Sequence, residues 1–324
     1  SKVGGQLSSE SRAGLLIEHG AEGFVARSEV VPALAADAGI ADHVVDQLEQ
    51  RSFRFAGGEL LELAPGEAGR LLGFQVPSDE LGRGIRSFVH GMGELPERLA
   101  LVLRDRITLH LGARVARVIP HGSGVRVSDA RGQDAEFSSV VVATAARDAA
   151  TLLSPAFGQS AEALRASAQL SSLTVSLAFP RDAVLHPLNG TGFIVPEPEH
   201  LDGLRAVTFT SSKLPHRAPL GHALLRLFFR PTDHDLQVSD AEWIDRAQRC
   251  LALALPVSVA AEHAVVSRWP SALPVFDDAH RARVAELSRA LSGQNIWLAG
   301  AAFHGSGIDA AIRSGESAAK ALTV

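Results

Sequence analysis

The stretch NIWLAGAAFHGSGIDAAIRSGESAAKAL, residues 295–322, sets Gly305, Gly307, Ile308 and Asp309 between an apolar run and an amphipathic segment. Ile308, Ala311, Ile312, Gly315, Ala319 and Leu322 recur at three- and four-residue steps and predict one apolar helix face, with Asp309, Arg313, Glu316 and Lys320 opposite it. The glycines allow a sharp turn after a strand, and the first free N–H groups of the helix then face an electron-rich partner. Gly305, Gly307 and Ala310 fit the loose G-x-G-x-x-G/A pattern. The acidic ribose ligand that pattern needs about 20 residues on has no position left in the chain, so a first Rossmann turn is not expected here. Two readings stay open at this point: a turn that binds a ligand, or one that only packs.

Other chemistries find little support. The 13 histidines include no H-E-x-x-H, no H-x-H and no pair at helical spacing, and His200, His216, His222 and His234 fall in turn-like segments, so no metal centre is expected. The HGSG at 304–307 lacks the G-x-S-x-G spacing of a nucleophile elbow, no phosphate loop is present, and Asp277 with Asp278 reads as a solvated turn. A net charge of −5 with scattered Lys and Arg argues against nucleic acid. Cys250 is the sole cysteine, which rules out a disulfide framework and points to a reducing, cytoplasmic setting. No apolar run reaches the roughly 18 residues of a membrane span.

The elements that would position such a turn come in two textures. LLIEHGAEGF, GMGELPERLALVLRDR, the short strands of residues 107–138 and the apolar run VVVAT predict an α/β part, the last as a strand buried on both faces. In the helix predicted over 91–106, Leu95, Leu99, Val102 and Leu103 share a face. From 151 to 268 the chain is richer in strands, with LTVSLAF alternating in period two, and one helix that begins at Ser239 with the capping-box spacing to Glu242 and turns Trp243, Ala247 and Leu251 inward. The predicted fold class is α/β, a Rossmann-like domain (1–60, 91–150 and 270–324) with an inserted antiparallel-sheet domain (61–90 and 151–269).

VGGQLSS with LLIEHGAEGF, GMGELPERLALVL, VVSRWPSALPVFDDAHRARV and LAGAAFHGSGIDAAIRSGESAA, taken in order, resemble the protoporphyrinogen oxidase family of the flavin amine oxidase superfamily. The Arg268-Trp269-Pro270 run with a histidine downstream is the most telling, and GFIVP and TSSKLPHRAP add to it. The resemblance makes the Rossmann-like domain the FAD-binding domain and the inserted antiparallel-sheet domain the substrate domain. It implies FAD as cofactor, held by Gly4 and Gly5 near the pyrophosphate, Glu18, His19 and Gly20 beneath the flavin, Val115 at the adenine, and Trp269, Gly300, Gly307, Ile308 and Asp309 along the ring. It implies a porphyrinogen substrate against Gly192 and Phe193, with Arg98 or Arg86 on a propionate, and dioxygen as acceptor, in haem biosynthesis. It admits peripheral membrane association and a homodimer. Alternatives within and outside the enzymes are another amine oxidase or desaturase, which an aromatic cage would favour and the absence of tyrosine disfavours, and a non-catalytic remnant of the fold. The family's opening strand, G-x-G-x-x-G turn and helix would precede Ser1, and only the short segment 64–90 stands where the family has a long helical part, so the chain as numbered is expected to bind FAD weakly unaided.

Overall fold

The computed structural model describes residues 2–71, 84–199 and 201–322, so His200 and residues 72–83 of the 64–90 segment lie outside the described residues. The chain divides into two compact units, one of Val3–Leu103 with Ser171–Pro270 and one of Ser1–Lys2, Arg104–Leu170 and Ser271–Val324.

The larger unit is built on a seven-stranded sheet in the order His263–Pro274, Gln169–Pro180, His222–Phe229, Leu204–Thr208, Gly192–Ile194, Phe53–Ala56, Glu59–Glu62. Its pairings are antiparallel wherever a register is resolved, except that Phe193 and Ile194 run parallel to Phe53 and Arg54. The period-two pattern of LTVSLAF decides what each face meets. Leu173, Val175, Leu177 and Phe179 join Leu225, Leu227 and Phe229 under the helix Asp240–Ala254, which presents Trp243, Ala247, Cys250 and Leu251. That helix carries the predicted capping box: the Ser239 hydroxyl accepts from Glu242 N–H, and the Glu242 carboxylate accepts from Ser239 N–H at 3.2 Å. On the opposite face, Ala178 and Leu224 pack on Leu15 and Ile17 of a hairpin formed by Ser9–Arg12 and Leu15–Glu18.

The sheet thus draws in more of the N-terminal chain than the sequence division proposed. Residues 3–60 and 91–103, assigned there with the C-terminal turn, belong to the sheet unit, because the 9–18 hairpin covers its second face and Phe53–Glu62 supplies its last two strands. The helix of the 91–106 segment spans Glu94–Leu103, and Leu95 is its one buried residue, with Leu101 and Val102 about half exposed. The anticipated apolar face of Leu95, Leu99, Val102 and Leu103 is therefore only begun.

In the smaller unit the VVVAT run forms Val140–Val142, which pairs parallel to Ile296–Leu298. It is not buried on both faces as anticipated: Val142 enters the core while Val141 is 37% exposed, because the two-stranded pair is covered on the Val142 side alone among the described residues. The helices Ala146–Glu162 and Asp278–Ala290 bury Leu153, Val284 and Leu287 against the pair, and a three-stranded meander (115–121, 124–129, 134–137) adds Val118 and Val125 to the same core. No helix of the described residues is long and apolar enough to cross a membrane.

Candidate functional site

In the larger unit the 4–22 segment is folded by close backbone approaches that only glycine permits. Leu7 N–H closes a turn on Gly4 O at 2.9 Å, with Gly4 at φ +105°. A Cβ there would lie 3.0 Å from Pro96 Cγ and closer still to Leu7 O. After the hairpin, His19 N–H bonds Ser8 O and Ala21 N–H bonds Gln6 O, drawing Gly20 onto the Gln6 peptide. A Cβ on Gly20 would stand 2.8 Å from the Gln6 carbonyl carbon and inside the radius of its oxygen. By contrast a Cβ on Gly5, at φ +55°, meets nothing within 4 Å.

The turn that follows is held from below by buried charge. Glu18, at 2% exposure, accepts from Ser9 Oγ at 2.6 Å and from Met92 N–H at 2.9 Å, while Gly93 N–H donates to Ser9 Oγ. Arg217 lies 3.7 Å from Glu18 and donates to Ser87 Oγ and Phe88 O. Arg226 shares the sheet face of Leu224 and Ala178, so its side chain runs toward the hairpin, where it donates to His19 O at 3.1 Å and to Thr174 Oγ1. Trp269 Nε1 donates to the same His19 carbonyl at 2.6 Å. The His19 ring is fixed between Ser267 Oγ, 2.9 Å from Nδ1, and Glu10, 3.1 Å from Nε2. Glu22 pairs with Lys213 at 2.9 Å. Two carboxylates and three cations make the network net positive by one charge, counting Glu18, Glu22, Lys213, Arg217 and Arg226.

The two carboxylates respond oppositely to this setting. Burial pushes Glu18 above the usual range, more than Ser9, the Met92 N–H and the two arginines pull it down. Burial also acts upward on Glu22, but Lys213, Arg226 and Arg217 outweigh it and hold that carboxyl below its ordinary value. A depressed folded value contributes stability above the ordinary Glu pKa of about 4.3, lost as pH falls through the depressed one. Glu18 opposes this: its contribution is present at low pH and is lost as pH rises through its raised value. Glu22→Gln should lower stability at neutral pH by about 3 kcal/mol, since a mostly buried Lys213 loses its partner. It should also flatten the loss of thermal midpoint below about pH 4.3. Midpoints measured from pH 7 to 3 for both proteins check it; parallel curves would show that Glu22 is not the group concerned.

In the smaller unit the strand Ile296–Leu298 leads into Gly300 (φ +98°), Gly305 (φ +146°) and Gly307 (φ +96°), and then the helix Ile308–Leu322. Gly300 N–H is tied to Ser314 Oγ at 2.8 Å, and Ser314 Oγ donates to Ala311 O, which locks the helix onto the strand end. The first intrahelical bond joins Ala311 N–H to Gly307 O, so the N–H groups of Ile308, Asp309 and Ala310 precede the ladder. Asp309 Oδ1 is buried with no hydrogen-bond partner, and a Cβ on Gly307 would meet nothing within 4 Å. Beside the strand lies a cavity of about 760 Å³ lined by Ile296, Trp297, Leu298, Ala310, Arg313 and Ser314, among others. His280, the histidine downstream of Trp269, is fully buried, with Nδ1 3.0 Å from Ser167 Oγ.

The remaining sequence-predicted positions are scattered. Val115 begins the first meander strand at an irregular register and is 37% exposed. Phe193 is 2% exposed within the sheet–helix core, its ring 6.1 Å from that of Phe209, and a Cβ on Gly192 would meet the Val207 backbone. Arg86 is paired with Asp46 at 2.9 Å, while Arg98 Nε is buried without a partner. Sequence reasoning missed Glu22, Lys213, Arg217 and Arg226. It also missed Arg51, which with Gln47, Ser52, Thr191 and Lys213 lines a cavity of about 590 Å³.

This architecture has known counterparts. The sequence pattern of the family described as flavin containing amine oxidoreductase matches residues 49–323. Among curated proteins, the coproporphyrinogen III oxidase of Bacillus subtilis (strain 168) is 28% identical over 244 residues, covering 74% of this chain and 49% of its own. That of Propionibacterium freudenreichii subsp. freudenreichii is 30% identical over 188 residues, covering 57% of this chain and 35% of its own. The chain thus spans half the length of these relatives, or less. Among solved structures, a provisionally named protoporphyrinogen oxidase from Exiguobacterium sp. 255-15 superposes with a TM-score of 0.84 at 20% identity, covering 99% of this chain and 91% of that chain. Cyclohexylamine oxidase from Brevibacterium oxydans IH-35A gives 0.74 at 15%, with the same coverage. The chain belongs to the flavin-containing amine oxidoreductase family and has its FAD-binding α/β fold.

Proposed function

We propose that this chain is part of an FAD-dependent oxidase that converts a porphyrinogen to a porphyrin with dioxygen as acceptor. The observation that carries the substrate class is its likeness to curated relatives named coproporphyrinogen III oxidase. The residues present fit a flavin nucleotide in each unit taken by itself. In the larger unit, the close-packed Gly4 and Gly20 turns leave the open flank of Gly5 for a phosphate group. The excess positive charge under the His19–Gly20 turn favours a neighbour that gains electrons, in a setting where low dielectric strengthens the effect. In the smaller unit, the free N–H groups at Ile308–Ala310 suit electron-rich atoms, and the orphaned Asp309 Oδ1 suits a hydroxyl.

Bound FAD supplies the hydride acceptor and passes the electrons to dioxygen. The protein's share is placement. Arg226 and Trp269 fix the His19 carbonyl, and with it the turn that the resemblance sets beneath the ring. Arg51, which has no ion pair among the described residues, supplies the positive charge for a substrate carboxylate at the 590 Å³ cavity. Arg86 is already matched to Asp46, and Phe193 acts from inside the core rather than as an open wall.

Gly307→Val tests the smaller unit's part. A β-branched residue at φ +96° is strained whatever the space around it, by about 1–3 kcal/mol. It would also place its methyls in the open volume where the helix start faces its ligand. FAD affinity should fall at least tenfold, about 1.4 kcal/mol, read by flavin fluorescence titration. Unchanged affinity would remove Gly307 from the cofactor site.

A further inference from the structure

Beside the Phe88–Gly93 turn that meets Glu18, Ser9 and Arg217, three side chains from three separate segments converge on one point of the larger unit. His43 ends the short 3-10 turn Ala41–His43, His90 follows the strand Ile85–Phe88, and Glu94 opens the helix Glu94–Leu103. Their placement is set by backbone. Val44 pairs with Phe88, and Val89 N–H continues the ladder to His43 O at 2.8 Å, which sets His43 beside the Val89–His90 step. Two successive turns, Gly91 N–H to Phe88 O and Glu94 N–H to Gly91 O, then return Glu94 over the same spot. His43 Nδ1 lies 2.6 Å from Glu94 Oε1, and the two imidazole rings meet edge to face with centroids 5.1 Å apart. One nitrogen from each ring and one oxygen of Glu94 lie within 4.8 Å of one another.

A shared proton accounts for the His43–Glu94 contact and for nothing else. It leaves Glu94 Oε2 buried without a hydrogen-bond partner, which a folded protein tolerates rarely. A cation would draw on all three side chains at once, through one nitrogen of each ring and one oxygen of the carboxylate. We propose that His43, His90 and Glu94 form a binding site for a divalent transition-metal ion of the zinc class. Two imidazoles and one carboxylate select such a borderline ion over calcium or magnesium, which take oxygen ligands. Bonds of about 2.0–2.2 Å in a tetrahedral arrangement put donors roughly 3.3 Å apart. The His43–Glu94 pair opens slightly to reach that spacing and the exposed His90 closes by side-chain rotation. The fourth position is left to water on the His90 side, where the site is open. The nearest further charges are Asp42, 4.0 Å from His43 Nε2, and Arg98, one helical turn beyond Glu94.

The test uses the full, FAD-loaded chain stripped with chelator and titrated with Zn²⁺ by calorimetry and with Co²⁺ by visible absorbance. Wild type should take up an ion with the intense bands of tetrahedral cobalt. His90→Ala should weaken that uptake at least tenfold while its metal-free thermal midpoint stays at the wild-type value, because His90 is exposed. Glu94→Gln should lose the tetrahedral cobalt spectrum. Equal affinities in wild type and His90→Ala, or no saturable uptake by wild type, would overturn the proposal.

Discussion

Gly20→Ala will release the FAD and lower stability by about 3 kcal/mol. The cause is one methyl group. The hydrogen bonds from His19 N–H to Ser8 O and from Ala21 N–H to Gln6 O clamp Gly20 against the Gln6 peptide, and the new Cβ falls on the Gln6 carbonyl. Neither partner can yield alone. Moving Gln6 opens the Gly4 turn, and moving residue 20 breaks the bonds that Arg226 and Trp269 make to the His19 carbonyl. The comparison to make is Gly5→Ala, whose Cβ meets nothing and whose cost is limited to backbone strain at φ +55°. Denaturant midpoints and flavin content of both variants decide the point. A Gly20→Ala protein with wild-type stability would show that the clamp is looser than drawn.

Arg226→Leu will cost about 3–5 kcal/mol, the range for removing one partner of a buried charge network. Glu22 and Glu18 then share two cations, Lys213 and Arg217, in place of three, and the His19 carbonyl keeps only the Trp269 indole as donor. The network's excess positive charge disappears with it, so FAD affinity and the readiness of the bound flavin to accept electrons should fall too. Arg226→Lys restores the charge without the forked geometry that spans His19 O and Thr174 Oγ1. It should recover the reduction potential more than the stability. If the potential were unchanged in Arg226→Leu, the network would be purely structural.

Much of the scaffold was readable because its signals are local. The Ser239–Glu242 capping box, the existence of a strand over VVVAT and the helix after Gly307 all depend on residues close in sequence. Glu18, His19 and Gly20 were singled out together by resemblance and do lie in one network. Their partners were not readable. Arg226 and Trp269 reach His19 from 207 and 250 residues away, and Lys213 reaches Glu22 from 191. Nothing in the sequence separates these cations from solvated ones, because it is the strand register that turns Arg226 to the hairpin face. The His43–His90–Glu94 group was missed for the same reason. A search by helical or H-x-H spacing cannot see residues joined through a β ladder. Phe193 shows the converse: GFIVP carried a resemblance, but period-two placement sends its ring into the core beside Phe209.

The central claim is tested most directly by product. Purified FAD-loaded protein should be given coproporphyrinogen III under dioxygen, with porphyrin fluorescence and hydrogen peroxide followed together and Gly20→Ala as the control. The account predicts porphyrin formation well above the rate of uncatalysed oxidation, matched by peroxide and abolished in the control. A flavin-loaded protein that leaves coproporphyrinogen and protoporphyrinogen at the uncatalysed rate, while oxidising a primary amine, would contradict it.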